Sequence, residues 1–132
     1  MWLYNDQEFM SDMIENSIGF VYILHNITND RFYIGKKLFK KRVKKKKKKV
    51  SVESDWKTYQ GSNLELLDDI KSGHEIKKTI LHLAYSKGEL SYLEIKEQIE
   101  RKVLFSKDFY NSYIGCRIHS KHIVIDKSKA LK

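Results

Sequence analysis

The sequence predicts an α+β chain, and three observations carry that reading. Residues 19–35 hold two short apolar-aromatic runs around a polar turn, the pattern of a β-hairpin. Residues 62–65 and 86–89 each place Glu three positions after Ser, the capping-box start of a helix. Residues 75–84 gather Ile, Thr and Leu between polar positions, which predicts a third strand.

The elements follow in order. Residues 1–17 contain four acids and no base. Trp2, Phe9, Met10, Met13 and Ile14 recur there at near-helical spacing, which predicts an N-terminal helix laid on the sheet. In the hairpin, residues 20–24 and 32–35 form the two runs. Asn29-Asp30 between them tolerates the positive φ of a tight turn. Each run carries a tyrosine, Tyr22 and Tyr33, and alternation can set both on one face. Residues 36–50 form a lysine-rich loop, expected to be mobile until phosphate neutralises it. Residues 51–61 hold Trp56, expected to pack in the core, and Tyr59, which can pack or stack on a base.

A first helix starts at the 62–65 box, carries Leu64, Leu67 and Ile70, and stops at Gly73. After the third strand, the 86–89 box opens a second helix. Ile95, Ile99 and Val103 fall on one stripe, read as buried, and Leu90, Glu94, Glu97 and Arg101 on the next. Tyr110-Asn111 reads as a turn, and residues 118–125 alternate like a late strand. Residues 113–132 form a C-terminal extension. No repeat or Gly/Ser/Pro linker breaks the chain, so the 132 residues are read as one domain.

Charge is the most informative property of the composition. The net charge is +9, from 26 Lys+Arg against 17 Asp+Glu. Eleven of those cations lie in residues 36–49, with no acid among them. The remainder is close to neutral. Such a segment attracts polyanions with strong salt dependence. Lys40, Lys41, Lys44, Lys45, Lys46, Lys47, Lys48 and Lys49 are the expected DNA contacts. No apolar run approaches the ~20 residues of a membrane span, and no secretory signal pattern opens the chain. The single cysteine, Cys116, excludes an intramolecular disulfide and fits a reducing compartment, so a cytoplasmic location is expected.

The hairpin delivers two phenols beside fixed positive charge. That combination suits phosphodiester chemistry: a proton acceptor and cations for a phosphate on a rigid platform. Arg42 can hold a phosphate bidentately, and Lys36 and Lys37, nearer the hairpin end, can do so as point charges. Glu94 is one carboxylate on a helix, and one carboxylate with waters and substrate oxygens commonly holds Mg²⁺. Cys116, His119 and His122 have a spacing that touches on zinc, but no fourth ligand is evident. His25 stands near Tyr22 as a secondary proton carrier. Walker, dinucleotide and nucleophile-elbow motifs are absent.

Phe20-Val21-Tyr22, a strand and turn, Tyr33-Ile34-Gly35, then Lys36-Lys37 and Arg42 resemble the GIY-YIG nuclease family. Ser91-Tyr92-Leu93-Glu94 and Tyr110-Asn111 are similar to its glutamate helix and its closing asparagine motif. Trp56 and Tyr59-Gln60-Gly61-Ser62 look like small bacteriophage nucleases related to homing endonucleases. The resemblance spans about residues 18–112. It implies a three-stranded antiparallel sheet flanked by helices and a Mg²⁺-dependent endonuclease or nickase acting on DNA, with Mn²⁺ as a substitute metal. It implies that Tyr22 or Tyr33 activates or orients the attacking water. Arg42 would neutralise the scissile phosphate, Glu94 hold the metal and Asn111 buttress the site. If phage-encoded, the chain would act in the host bacterial cytoplasm. Its first motif departs from Gly-Ile-Tyr, and Arg42 comes one residue early, leaving Arg42, Lys36 and Lys37 as alternatives at the phosphate. Tyr59 is the nearest substitute for the histidine or tyrosine that follows the arginine in many relatives. No separate DNA-reading domain is expected, so target choice falls to the lysine loop, residues 51–61, the tail, a homodimer or a partner protein. The rival readings are a non-catalytic nucleic-acid-binding protein on the same scaffold and an interaction protein that uses its basic loop against an acidic partner.

Overall fold

The computed structural model describes residues 1–115. Its centre is the antiparallel hairpin of β3 (Gly19–Asn26) and β4 (Arg31–Leu38). At the turn, Asn26 Oδ1 accepts from the backbone N–H groups of Thr28 and Asn29. Asp30 takes a φ of 57°, a left-handed conformation that Asp tolerates. β3 also pairs antiparallel with β7 (Ile76–Ala84), the strand expected at residues 75–84. Leu81 is an extra residue in that pairing. Ile80 stands opposite Tyr22 and His82 opposite Val21, with a register shift between. A bulge of this kind sharpens local twist.

The sheet is wider than the three antiparallel strands expected. Its five strands run β2 (Gln7–Glu8), β1 (Trp2–Tyr4), β7, β3, β4, and the sheet is mixed. β1 pairs parallel with β7, and β2 pairs antiparallel with β1. The predicted N-terminal helix is therefore replaced by two short strands and a single 3₁₀ turn at Ser11–Met13. Local backbone chemistry explains the change. Asn5 and Asp6 both adopt positive φ, 51° and 63°, the geometry of a two-residue hairpin loop. The Trp2 indole N–H then donates to the Trp56 carbonyl at 2.6 Å, with the ring buried. The near-helical spacing reflected burial of Trp2 and Phe9 rather than a helix, and Met10 is exposed.

The lysine-rich segment is built of strands rather than the loop expected. β5 (Lys40–Lys45) and β6 (Lys48–Glu53) form a separate two-stranded ribbon. Lys46 and Lys47 make its turn with φ of 47° and 66°. Val43 pairs with Val50 across the ribbon. At the base, Ser54 Oγ donates to the Leu38 carbonyl at 2.6 Å and Ser54 N–H to the Phe39 carbonyl at 2.8 Å.

A buried cluster covers each sheet face. On one side Trp2, Phe20, Tyr22, Leu24, Phe39 and Trp56 pack with Leu66 of α1 (Leu64–Lys71). On the other, Val21, Ile34 and Ala84 pack with Leu90 of α2 (Lys87–Glu100). Asn63, one residue past the predicted Ser62, caps α1 by accepting from Leu66 N–H at 3.0 Å. Gly73, with φ of 99°, follows its end. Ser86 caps α2 as predicted, accepting from Glu89 N–H at 3.1 Å.

Of the predicted buried stripe, Val103 is buried just beyond α2 and Ile95 is half-buried, but Ile99 is not. Ile99 is 57% exposed, whereas Leu90, Glu97 and Gln98 are buried. Glu97 accepts from Arg101 Nε at 2.8 Å and pairs with His82 Nε2 at 2.8 Å. A polar face of the helix is thus turned to the sheet. Tyr110-Asn111 is not a turn: Tyr110 N–H donates to the Phe32 carbonyl and Phe32 N–H to the Asp108 carbonyl, each at 2.7 Å. The segment runs beside β4, the edge strand. The Cys116, His119, His122 spacing and the late strand at 118–125 lie outside the described residues. Among the described residues no helix is long and apolar enough to cross a membrane.

Candidate active site

The hairpin register decides what meets at the β4 edge. Tyr22 stands opposite Gly35, and Tyr33 opposite Leu24. Tyr22, Tyr33 and Gly35 therefore share a face, as alternation allows. The two rings lie 6.3 Å apart. Gly35 is required here, because a Cβ would collide with the Tyr22 phenol. Lacking a side chain, it lets that phenol lie across β4 toward the strand's open side.

The opposite face brings the charges. Lys36 alternates to the α2 side, where its Nζ donates to Ser91 Oγ at 2.9 Å and lies 4.0 Å from Glu94 Oε1. Phenols from one face and a carboxylate and an ammonium from the other converge at the edge. Tyr22, Tyr33, Gly35, Lys36, Glu94 and Asn111 line one cleft of about 610 Å³, together with Ser62 and Gln98.

Its wall is held by amides. Asn111 Oδ1 accepts from Ile34 N–H at 3.0 Å, and its Nδ2 donates to the Ile34 carbonyl at 2.8 Å. Gln98 Nε2 donates to the same carbonyl at 3.2 Å. Two side chains thus satisfy the backbone between Tyr33 and Gly35. Sequence reasoning missed Gln98, although it lies one helical turn after Glu94 and so on the same face.

Burial sets the protonation. It pushes the Tyr22 phenol well above its usual range, with Tyr59, Tyr33 and Glu94 adding to the effect. Burial also raises Tyr33, against a smaller opposing effect of the Ser62 hydroxyl. Both phenols are therefore neutral near pH 7. Burial raises the Glu94 carboxyl, and the Lys36 ammonium opposes that shift.

The other expected residues stand elsewhere. Arg42 is exposed on β5 and lines a separate groove. It does not join the phenols and Glu94. Lys37 points to the first sheet face, pairs with Asp55 at 2.6 Å and lies 4.0 Å over the Tyr59 ring. Its hydrogen bond holds the Asp55 carboxyl below the usual carboxylate range. Tyr59 is half-buried and packs edge-on against Tyr22 at 6.0 Å. Lys40, Lys41, Lys44, Lys45, Lys46, Lys47, Lys48 and Lys49 all lie exposed on the ribbon. His25 belongs to the α2-side face of β3, stacked on Phe32 at 4.3 Å and bonded to Asp30 at 2.7 Å. That places it away from Tyr22.

The donor set can be tested against a metal. Among the described residues no three His, Cys, Asp or Glu side chains gather to hold an ion. A closed protein cage is therefore not built here. Glu94 supplies one carboxylate, and Gln98, also lining the cleft, has a buried Oε1 with no partner. An oxygen-only, open site of this kind fits Mg²⁺ or Mn²⁺, which keep waters and take substrate oxygens.

Comparison with known families gives a match over most of the chain. The family model described as "Putative endonuclease segE, GIY-YIG domain" matches residues 2–114. No curated protein and no solved structure matches the chain.

Proposed function

The chain belongs to the GIY-YIG nuclease family, and on that premise we propose that its cleft hydrolyses DNA phosphodiester bonds with Mg²⁺ held at Glu94. The domain implies nuclease activity on DNA. The observation that carries the finer reading is the single cleft shared by Tyr22, Tyr33, Lys36, Glu94 and Asn111.

A divalent cation at Glu94 would neutralise charge on the phosphoryl oxygens and the leaving oxygen. The chain supplies the remainder. Neutral Tyr22 and Tyr33 orient the attacking water by hydrogen bonding, and nearby positive charge favours loss of a phenolic proton. Lys36 neutralises the scissile phosphate, the task first expected of Arg42. Its ammonium stands beside Glu94 in the resting chain. From there it can reach a phosphate in the cleft, and were a cation held at that carboxylate, the ammonium would be freed for the phosphate. Asn111 and Gln98 hold the Ile34 backbone, so Tyr33 keeps its place. A small phage-type enzyme that makes one cut per encounter fits one cleft of this kind.

The test is supercoiled plasmid incubated with and without Mg²⁺, for the native chain and Glu94→Gln. Nicked or linear product should appear only with the metal and only for the native chain, while both proteins bind DNA. Unchanged cutting by Glu94→Gln rejects the assignment. A second reading, nucleic-acid binding without cleavage, draws on the upward shift of both phenols and on the absence of Arg42 from the cleft. Tight binding with no product in Mg²⁺ or Mn²⁺ would favour it.

A further inference from the structure

We propose that the β5–β6 ribbon holds DNA with one face only, the face of Lys40, Arg42, Lys44 and Lys49, and so steers the duplex flank toward Lys36. The inference rests on the reading of DNA as substrate. It assigns Arg42 to the flank rather than to the reacting phosphate.

The register separates the faces. Residues directly opposite each other share a face, and neighbours along a strand alternate. Lys40↔Glu53, Arg42↔Ser51 and Lys44↔Lys49 make one face, and Lys41↔Val52, Val43↔Val50 and Lys45↔Lys48 the other. The first face is wholly polar, with four cations and one acid. The second carries three valines among its lysines. The acid of the first face is engaged: Glu53 Oε1 accepts from Trp56 Nε1 at 2.8 Å and lies 3.8 Å from Lys57 Nζ.

The polar face also looks into a groove. Lys40, Arg42, Ser51 and Glu53 line a space of about 1310 Å³, and Ser86 and Lys87 at the start of α2 line it too. Of the second face only Lys41, at the ribbon's base, reaches it. Lys36 lines both this groove and the cleft of Tyr22 and Glu94. One ammonium therefore joins the two spaces.

Dimensions agree with a nucleic-acid backbone. Side chains on one strand face recur about every 6.6 Å, close to two base-pair rises of about 3.4 Å. Lys40, Arg42 and Lys44 thus present an evenly spaced row of cations along which a phosphate backbone can lie. The eight steps from Lys36 to Lys44 reach at most roughly 27 Å, or about eight base pairs. Contacts fall on one side of the scissile phosphate. The three valines of the second face offer no donor to phosphate, and of its three lysines only Lys41 reaches the groove.

The test compares charge-matched variants of the full chain. Arg42→Gln/Lys44→Gln removes two cations from the groove face, and Lys45→Gln/Lys48→Gln removes two from the other. Duplex binding is followed by fluorescence anisotropy in EDTA from about 50 to about 200 mM salt. The first pair should weaken binding about tenfold and reduce the slope of log affinity against log salt by about 2, at roughly 0.9 per phosphate. The second pair should change the slope by less than half as much. Equal losses from the two pairs overturn the one-face assignment and leave the nuclease reading standing. A native chain that binds no duplex defeats both.

Discussion

The Tyr22 phenol lies across Gly35, in space that any side chain at position 35 would fill. The pair stands directly opposite in the β3–β4 register. The glycine therefore serves the phenol rather than the turn, since its own position is mid-strand. Gly35→Ala should cost about 1–3 kcal/mol by overpacking and reduce cleavage well beyond what that loss explains. Thermal melting alongside plasmid cleavage, at a temperature where the variant remains folded, checks both. Full activity in a folded Gly35→Ala would show that the phenol need not cross the strand.

Lys36 and Lys37 adjoin in sequence but face opposite sides of the sheet. Lys36→Met should lower the cleavage rate at saturating DNA by roughly 10²-fold, the scale of losing one charge-stabilising donor. Lys37→Met loses its Asp55 pair and its contact with Tyr59, and should affect the rate far less. Single-turnover kinetics on a labelled duplex separate the two. Equal rate losses would remove Lys36 from its role at the phosphate.

Asn111 satisfies both backbone groups of Ile34. Asn111→Ala leaves the buried Ile34 N–H without its acceptor, at about 1–3 kcal/mol. The carbonyl keeps Gln98. Urea unfolding should show that loss, and cleavage should fall because Tyr33 adjoins the freed backbone. A variant of native stability would mean that another group takes up the N–H.

Lys78 is a buried lysine whose ammonium donates to the Lys57 carbonyl at 3.1 Å and lies 4.4 Å from the Trp2 ring. Burial lowers its pKa to about 8 from the usual 10.5. Between those values the unfolded chain binds the proton that the folded chain has released. The unfolded state therefore holds more protons, and this residue makes stability rise with pH across that window. Urea midpoints at about pH 7.5 and about pH 9.5 should show the rise for the native chain and a smaller one for Lys78→Met. Parallel midpoints in the two proteins would contradict it.

Much of the site could be read from local pattern, because a hairpin's register follows from its turn. Tyr22, Tyr33 and the 86–89 cap, which phases Glu94 on α2, are all short-range features. That Lys36 rather than Arg42 lines the cleft of Glu94 was not legible. It depends on the chain leaving β4 after Leu38 and refolding as a ribbon tied at Ser54. The N-terminal strands were hidden for a related reason. β1 gains its identity from a parallel pairing with distant β7 and from Trp56, while its local spacing imitates a helix. The inner face of α2 mixes apolar Leu90 with polar Glu97 and Gln98, which a search for an apolar stripe does not find. Glu97 is compensated by His82 and Arg101, and Ile99 is left outside.

The surplus residue in β7 separates two properties that most strands bind together. Leu81 has no counterpart on β3. A chain lacking it would pair without interruption and keep Ile80, His82, Leu83 and Ala84 on their present sides. Deleting other single residues of that strand would exchange inside for outside along part of its length. Alternation therefore does not demand this insertion, and what it adds is local twist beside Tyr22. A 131-residue version missing that one leucine would keep its fold and isolate the contribution of that twist alone.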